Sequence, residues 1–288
     1  MAEHGLDAAG IGPQKTGTTW LDACLRAHPD LCLPQGVKET FFLDRRFGRG
    51  WGWHGAHFEG CGPDRLRAEV GPTWFDVPEA AARLADHDPG CRIVPTLRDP
   101  AERSWSLYLH HRRKGRVGED FRAAVREIPR ITGASRYGEH LPRWIDAFGG
   151  ERVHPVLLQD VRADPHAVLA ELWGFLGLDA PEEPPAAARR RVNPAAGARS
   201  PVLARWAVGA SRWLRDRGLH GLVDGVRRAV GGIVYRRAEE RPAMPAPLRA
   251  ELVERFADDV RFVEGMTGRD LSAWRSPAVR REREGAGR

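Results

Sequence analysis

Near the start of the sequence, a short run of small and apolar residues leads into a polar loop and then a helical repeat. The run spans Ala8–Gly12, the loop spans residues 13–19, and apolar side chains recur at Trp20, Leu21, Cys24 and Leu25. Ala and Gly are poor strand formers, so the run is a strand only by its context. The repeat has the spacing of an amphipathic helix. The segment predicts a strand, a glycine-containing loop and a helix.

Short apolar runs and helical repeats alternate along the rest of the chain. The runs predict strands at 31–33, 92–97 and 153–158, and the repeats predict helices at 78–85, 100–113, 137–148, 165–176 and 248–266. Asp99 is expected to be the N-cap of the helix that Pro100 begins, and Gly177 ends the helix at 165–176. Such alternation predicts an α/β fold, a single domain with a central parallel sheet flanked by helices. Pro95 conflicts locally with its strand because it has no N–H to donate.

Composition narrows the class of protein. The chain has 288 residues, of which 42% are hydrophobic and 29% charged, and it has no run of the ~18 apolar residues that a membrane-spanning helix needs. The N-terminal segment lacks the basic and apolar regions of a secretory signal, so we expect a soluble, cytoplasmic protein. Four cysteines without CxxC spacing are expected to be small buried residues.

The charge favours an anionic partner. The formal net charge is +6 and the isoelectric point is near 9.6, which suits a nucleotide, a sulfated or phosphorylated substrate, or nucleic acid. Nearly all the basic residues are Arg, and lysine occurs at Lys15, Lys38 and Lys114. A scarce lysine marks positions where a compact point charge is of use.

Two segments have the chemistry of anion sites. In Lys15, Thr16, Gly17, Thr18 and Thr19, a lysine and three hydroxyls come together at a predicted helix N-terminus, where backbone N–H groups also bind anions. The nucleoside-triphosphatase loop GxxxxGK[ST] has its lysine after the glycine, so this loop differs from it. An ordinary capped helix start is the alternative interpretation.

The second anion site is predicted where the strand at 92–97 ends. Arg98 follows that strand and Ser106 lies two turns into the next helix, a combination that suits a terminal monophosphate. Ligands of open α/β sheets bind beyond the carboxyl ends of strands, so two such sites imply one ligand with two anionic groups. Pairing of Arg98 with Asp99 or Glu102 is the alternative.

These segments resemble the sulfotransferase superfamily that uses 3′-phosphoadenosine 5′-phosphosulfate (PAPS). PQKTGTTWL is similar to the family's 5′-phosphosulfate loop, and LRDPAERSWSLYLHH to its 3′-phosphate motif. GVKETFFL, EVGPTWF and FLGLD resemble segments of heparan-sulfate-type, carbohydrate-modifying members, and RDLSAW resembles the ending of bacterial members. The resemblance implies a P-loop-like nucleotide-binding core, a PAPS co-substrate and the product 3′-phosphoadenosine 5′-phosphate (PAP).

The resemblance also implies roles for individual residues. The loop from Lys15 to Thr19 would hold the 5′-phosphosulfate, with Lys15 stabilising charge on the bridging oxygen, while Arg98 and Ser106 would hold the 3′-phosphate. Trp20 would stack near the adenine or be a core residue, and Arg199 aligns loosely with a basic loop that closes over the 3′-phosphate.

Glu39 is the candidate general base, with Lys38 beside the bond that breaks. An exposed Lys38–Glu39 pair without a catalytic role is one alternative, and a histidine base at His54 or His57 is another. No metal is expected. The acceptor would be a hydroxyl or an amine of a carbohydrate or small molecule, and nucleic acid is not expected as a partner.

The predicted sulfotransferase domain spans 1–276, with a charged tail at 277–288. Within it, the basic segment 199–241 is a helical lid, an acceptor-side insertion, a peripheral membrane contact or an ordinary solvated helix face. Two other functional classes stay open: a nucleotide phosphotransferase, which shares the strand–loop–helix anion site, and a non-catalytic surface-binding protein.

Overall fold

The structure is a computed structural model of the chain, and it describes residues 5–189, 197–198, 235–236 and 242–277. Arg199, the side chains of segment 199–241 and residues 278–288 of the predicted tail lie outside the part of the chain that the structure describes. The roles predicted for them stay predictions. The chain divides into two compact units, Met1–Arg98 with Tyr137–Pro194, and Asp99–Arg136 with Ala195–Arg288. The bounds 1–276 stay a prediction.

The first unit holds the central sheet. Its strands are β1 (Ala8–Gly12), β2 (Leu31–Cys32), β3 (Leu66–Val70), β4 (Arg92–Leu97) and β5 (Val156–Leu157). Among the described residues these strands form one parallel sheet in the order β2-β3-β1-β4-β5. The helices of this unit are α1 (Thr18–Ala27), α2 (Gly50–Gly55), α3 (Ala80–His87), α7 (Tyr137–Phe148), α8 (Leu158–Ala163), α9 (Pro165–Leu176) and α10 (Ala186–Arg189). The predicted α/β class is confirmed.

The second unit is mainly helical. It contains α4 (Pro100–Arg113), α5 (Phe121–Glu127), α6 (Arg130–Gly133), α11 (Ala246–Arg255) and α12 (Ala257–Thr267), with a two-stranded antiparallel sheet of β6 (Gly197–Ala198) and β7 (Tyr235–Arg236). Its core packs Trp105 and Tyr108 of α4 against Phe121 of α5, together with Leu252 and Phe256. Within the described residues of both units, no helix has the length and apolarity needed to cross a bilayer.

Three sequence predictions need correction. The run at 153–158 forms only an isolated bridge from Val153 to Ile93 and the two-residue strand Val156–Leu157, because Pro155 between them has no N–H and α8 begins at Leu158. The single helix predicted at 248–266 is two helices that meet at Phe256, whose φ of −104° and ψ of 14° leave the helical region. The cysteine prediction is wrong for one pair, because Cys32 and Cys61 form a disulfide, whereas Cys24 and Cys91 are free and buried.

The conflict at Pro95 is resolved by the sheet itself. Strand β4 pairs with β1 from Ala8↔Arg92 to Gly10↔Val94, and the register then shifts so that Gly12 lies opposite Pro95. A proline is tolerated at such an irregularity because the ladder there needs no donor. The shift occurs where β1 ends and the Lys15 loop begins.

Candidate active site

The Lys15 loop follows the carboxyl end of β1, one of the inner strands of the sheet. Lys15 has a φ of 77° and Gly17 a φ of 106°, both in the left-handed region. A Cβ at Gly17 would lie 2.9 Å from Leu158 Cδ1, so a larger residue there would meet both backbone strain and a steric neighbour. Such strain in a non-glycine residue is characteristic of functional loops.

The hydroxyl of Thr16 ties this loop to the neighbouring strand. Thr16 is buried, its Oγ1 donates to Pro13 O at 2.5 Å, and it lies 2.6 Å from Thr96 Oγ1. Thr96 belongs to β4, which ends one residue before Arg98. Since β1 and β4 are adjacent and parallel, Lys15 and Arg98 both follow strands that end at the same edge of the sheet.

Helix α1 begins in a way that leaves its N-terminus suited to an anion. Its N-cap, Gly17, provides no side-chain cap, and its first turn contains no acidic residue. The backbone N–H groups and the helix dipole therefore carry positive potential that no neighbouring carboxylate of that turn offsets. Thr18 is buried in the first turn, and the Thr19 hydroxyl accepts a hydrogen bond from Lys38 Nζ at 3.2 Å.

Arg98 is buried and its backbone is fixed. The hydroxyl of Tyr137, the first residue of α7, donates to Arg98 O at 2.7 Å. The alternative partner for Arg98, Asp99, accepts from the N–H groups of Ala101 and Glu102 as the predicted N-cap of α4, and Arg249 Nη2 lies 2.7 Å from its carboxylate. Ser106 lies two turns into α4, in the second unit, and is half-buried.

Lys38 and Glu39 lie beside the start of α1. Lys38 Nζ is 3.4 Å from Glu39 Oε1, and the two side chains are 35% and 18% exposed. Glu39 is therefore mostly buried, which disagrees with the alternative of an exposed Lys38–Glu39 pair. Burial raises the pKa of the Glu39 carboxyl above its ordinary value, Lys38 opposes the rise, and the carboxylates of Glu69 and Asp22 add to it.

Two contacts hold the chain on either side of this pair. Arg26 of α1 forms a salt bridge with Asp22. Its guanidinium also donates to Pro34 O at 2.9 Å and to Val37 O at 3.0 Å. On the other side, Thr40 donates to Glu69 Oε1 through both its N–H, at 2.8 Å, and its hydroxyl, at 2.7 Å. Lys38 and Glu39 therefore lie between two anchored points of the backbone.

The buried acid Glu69 is a residue that sequence reasoning missed. It lies in β3 with 0% of its surface exposed, and its second oxygen is 2.8 Å from His54 Nε2. The signal in the sequence was the position of an acid within an apolar strand, because a buried charge needs partners.

The structure also places His54 and His57, the two alternative candidates for the general base. His54 is 1% exposed and stacks on Phe42 with a centroid distance of 4.6 Å, so its ring is a buried partner of Glu69. His57 is half-buried with its ring against Trp53.

Trp20 is 7% exposed, belongs to the core cluster and donates from Nε1 to Ala188 O at 3.3 Å, which favours the core alternative over adenine stacking.

Sequence comparisons relate the chain to known sulfotransferases. The family model described as "Sulfotransferase domain" matches residues 10–193. The chain is 29% identical over 191 residues to the human bifunctional heparan sulfate N-deacetylase/N-sulfotransferase 3, covering 58% of this chain and 22% of that protein. It is 30% identical over 196 residues to the mouse bifunctional heparan sulfate N-deacetylase/N-sulfotransferase 4, with the same two coverages. The chain thus spans about a fifth of the length of these relatives.

Among solved structures, a sulfotransferase from Alicyclobacillus acidocaldarius superposes with a TM-score of 0.67 at 24% identity, covering 95% of this chain and all of that chain. This likeness concerns the fold. The family match covers more than half of the sequence and includes the Lys15 loop, Glu39 and Arg98. The chain belongs to the sulfotransferase domain family.

Proposed function

We propose that the chain transfers the sulfuryl group of PAPS to a hydroxyl or amine of a carbohydrate or small-molecule acceptor and releases PAP. Members of the family use this donor and give this product. In this proposal Lys15, Thr16, Gly17, Thr18 and Thr19 surround the 5′-phosphosulfate, and Arg98 binds the 3′-phosphate. The roles of Ser106 and Arg199 stay predictions from the family motif.

The observation that carries the proposal is that the two segments predicted to bind anions follow strands that end at the same edge of the sheet. The Lys15 loop and Arg98 follow adjacent parallel strands, and the 2.6 Å contact between Thr16 and Thr96 joins the loop to the second strand. A donor with anionic groups at two ends needs such a pair of sites. The uncapped, acid-free N-terminus of α1 suits the end of the donor that reacts.

Glu39 is proposed as the general base. Its carboxylate takes the proton of the acceptor hydroxyl or amine as the acceptor attacks sulfur in line, and the bond from sulfur to the bridging phosphate oxygen breaks. Lys15 and Lys38 offset the negative charge that develops at that oxygen. The burial of Glu39 supports this role, since its raised pKa makes it a better proton acceptor than an ordinary exposed carboxylate.

Calorimetry with PAP and with adenosine 5′-monophosphate tests the donor site. The wild-type chain is expected to prefer PAP, and Arg98→Ala is expected to lower PAP affinity about 10- to 100-fold, as the loss of a charge-assisted hydrogen bond would. Arg92→Ala is the matched control, because Arg92 begins the same strand at its opposite end.

Equal affinity of the wild-type chain for the two nucleotides would contradict the proposal. A phosphotransferase that binds an ordinary adenosine phosphate would give that result, and a non-catalytic surface-binding protein would bind neither nucleotide tightly. The same titrations therefore separate the three functional classes that the sequence leaves open.

A further inference from the structure

The chain that follows Glu39 is rich in arginine and aromatic residues. Between Arg45 and Phe58 it contains three arginines and no acidic residue. We call the group formed by Phe41, Arg45, Arg46, Arg49 and Trp53 the arginine–aromatic surface. None of these residues has a role in the donor site described above.

Each arginine of this surface lies over an aromatic ring. The guanidinium carbon of Arg45 is 4.7 Å from the centroid of Phe41, and those of Arg46 and Arg49 are 5.6 Å and 5.4 Å from that of Trp53. Arg45 and Arg49 are exposed, while Arg46 and both rings are half-buried. Stacking on a ring leaves the edge of a guanidinium, where its N–H donors lie, available to a ligand.

The surface carries a net positive charge. Arg45 Nε lies 3.3 Å from Asp44 Oδ2, which offsets one of the three guanidinium charges and leaves two. A carboxylate or sulfate is the group that the planar fork of arginine binds best, through two parallel hydrogen bonds. The faces of the two rings offer apolar area to a flat or puckered ring of a ligand.

The surface is next to the candidate base. Arg46 Nη1 donates to Thr40 O at 3.4 Å, and Thr40 directly follows Glu39. Phe41 has a φ of 58° and a ψ of 30°, a left-handed conformation that is unfavourable for a bulky side chain. This turn brings the segment with the arginines back beside the residues that carry Glu39.

We infer that the arginine–aromatic surface is the acceptor subsite and that the acceptor is an acidic carbohydrate. This inference rests on the proposed function and adds the class of acceptor. Arg46 and Arg49 bind a carboxylate or sulfate of the sugar, and Trp53 packs against the ring that bears it. The hydroxyl or amine that reacts then lies on a neighbouring part of the acceptor, within reach of Glu39.

The test uses the full chain saturated with PAP and a pair of probes that differ only in charge. The probes are a tetramer of galacturonic acid and its fully methyl-esterified form, titrated by calorimetry. We expect the acid to bind at least about tenfold more tightly than the ester, because the ester accepts no charge-assisted hydrogen bond. The double variant Arg46→Gln/Arg49→Gln should abolish that preference.

Two further variants separate binding from folding. Arg49→Gln alone changes an exposed side chain and is expected to weaken binding of the acid about threefold with no change in melting temperature. Arg126→Gln is the control, since Arg126 is also an exposed arginine but lies in α5, outside the surface. It should leave the affinity for the acid unchanged.

Equal binding of acid and ester, binding of neither, or an unchanged preference in the double variant would overturn the inference. A second probe, vesicles of phosphatidylserine and phosphatidylcholine, covers the membrane alternative. Vesicle binding that the double variant abolishes, without binding of the acid tetramer, would assign the surface to membranes and also overturn it. Failure of the wild-type chain to bind PAP would mark failure of the proposed function itself, whereas PAP binding with any of these outcomes rejects the acceptor inference alone.

Discussion

At the scale of residues, the Glu39 carboxyl is mostly buried, with the Lys38 ammonium 3.4 Å away. We predict that Glu39→Gln lowers kcat for sulfuryl transfer from PAPS about 100-fold or more, the contribution typical of a positioned general base. The amide keeps the shape of the side chain, so PAP affinity should stay within about twofold. Glu59→Gln, an exposed acid of the same region, is the control. Equal transfer rates for the Glu39→Gln and wild-type chains would assign the base elsewhere.

Glu69 gives a second prediction, which concerns pH. Its carboxylate adds to the rise in the Glu39 pKa that burial causes, and Lys38 opposes that rise. A base is active when deprotonated, so kcat should fall as pH drops through the Glu39 pKa. Glu69→Gln removes a neighbouring negative charge and should therefore move this fall to lower pH. Thr40→Val, which loses one bond to Glu69 but no charge, should lower kcat without moving the profile. A shift to higher pH in Glu69→Gln would contradict this account.

The sequence predicted Lys38 and Glu39 as a unit because the two residues are adjacent in the family-like segment GVKETFFL. It did not predict the partnership of Thr40, Glu69 and His54. That network depends on where β3 lies in the sheet, and no local pattern encodes contacts between residues separated by 15 or 29 positions. The same dependence explains Trp20, whose helical spacing fits both a core residue and a ligand contact until the packing of Ala188 is known.

At the scale of elements, the turn from β1 into α1 requires Gly17. We predict that Gly17→Ala lowers the free energy of unfolding by about 1–3 kcal/mol, because its φ of 106° is unfavourable for an L side chain. The substitution should also weaken PAP binding, since a side chain at this φ favours a different backbone conformation of the loop. Thermal denaturation and calorimetry on the same protein measure both effects.

Gly174 provides the matched control for this prediction. It lies inside α9, where a Cβ would meet no atom within 4 Å. Gly174→Ala should therefore raise the free energy of unfolding by about 0.5–1 kcal/mol through helix propensity. A Gly17→Ala protein as stable as wild type, with unchanged PAP affinity, would mean that the loop tolerates a side chain.

Elements with strong local signals were predicted to the residue. Helices α4 and α9 begin where an aspartate N-cap precedes a proline, and their predicted bounds match the structure. The break at Phe256 has no such signal, because the apolar period continues across this residue, whose ring is buried in the core. The predicted strand at 153–158 was longer than β5 because an apolar pattern does not show that Pro155 lacks a backbone N–H.

At the scale of the whole molecule, the charge of +6 agrees with an anionic donor, whereas the cysteines change the expectation drawn from composition. Disulfides are typical of oxidising compartments, so the pair Cys32–Cys61 stands against the cytoplasmic location, which stays a prediction. The bond joins residues that are 29 positions apart, and the loop that it closes carries Lys38, Glu39 and the arginine–aromatic surface. Loss of the bond should therefore affect both stability and acceptor binding.

We predict that the variant Cys32→Ser/Cys61→Ser loses about 3–4 kcal/mol of stability, since opening a loop of this length frees the unfolded chain. The melting temperature should fall on the order of 10 °C. A reductant should lower the melting temperature of the wild-type chain to that of the variant and leave the variant unchanged, which separates this bond from any effect on Cys24 and Cys91. PAP affinity should change less than affinity for the acid tetramer, because the Lys15 loop and Arg98 lie outside the closed loop. If reductant does not change the wild-type melting temperature, the bond contributes nothing to stability. The disulfide would then no longer be an argument against a cytoplasmic location.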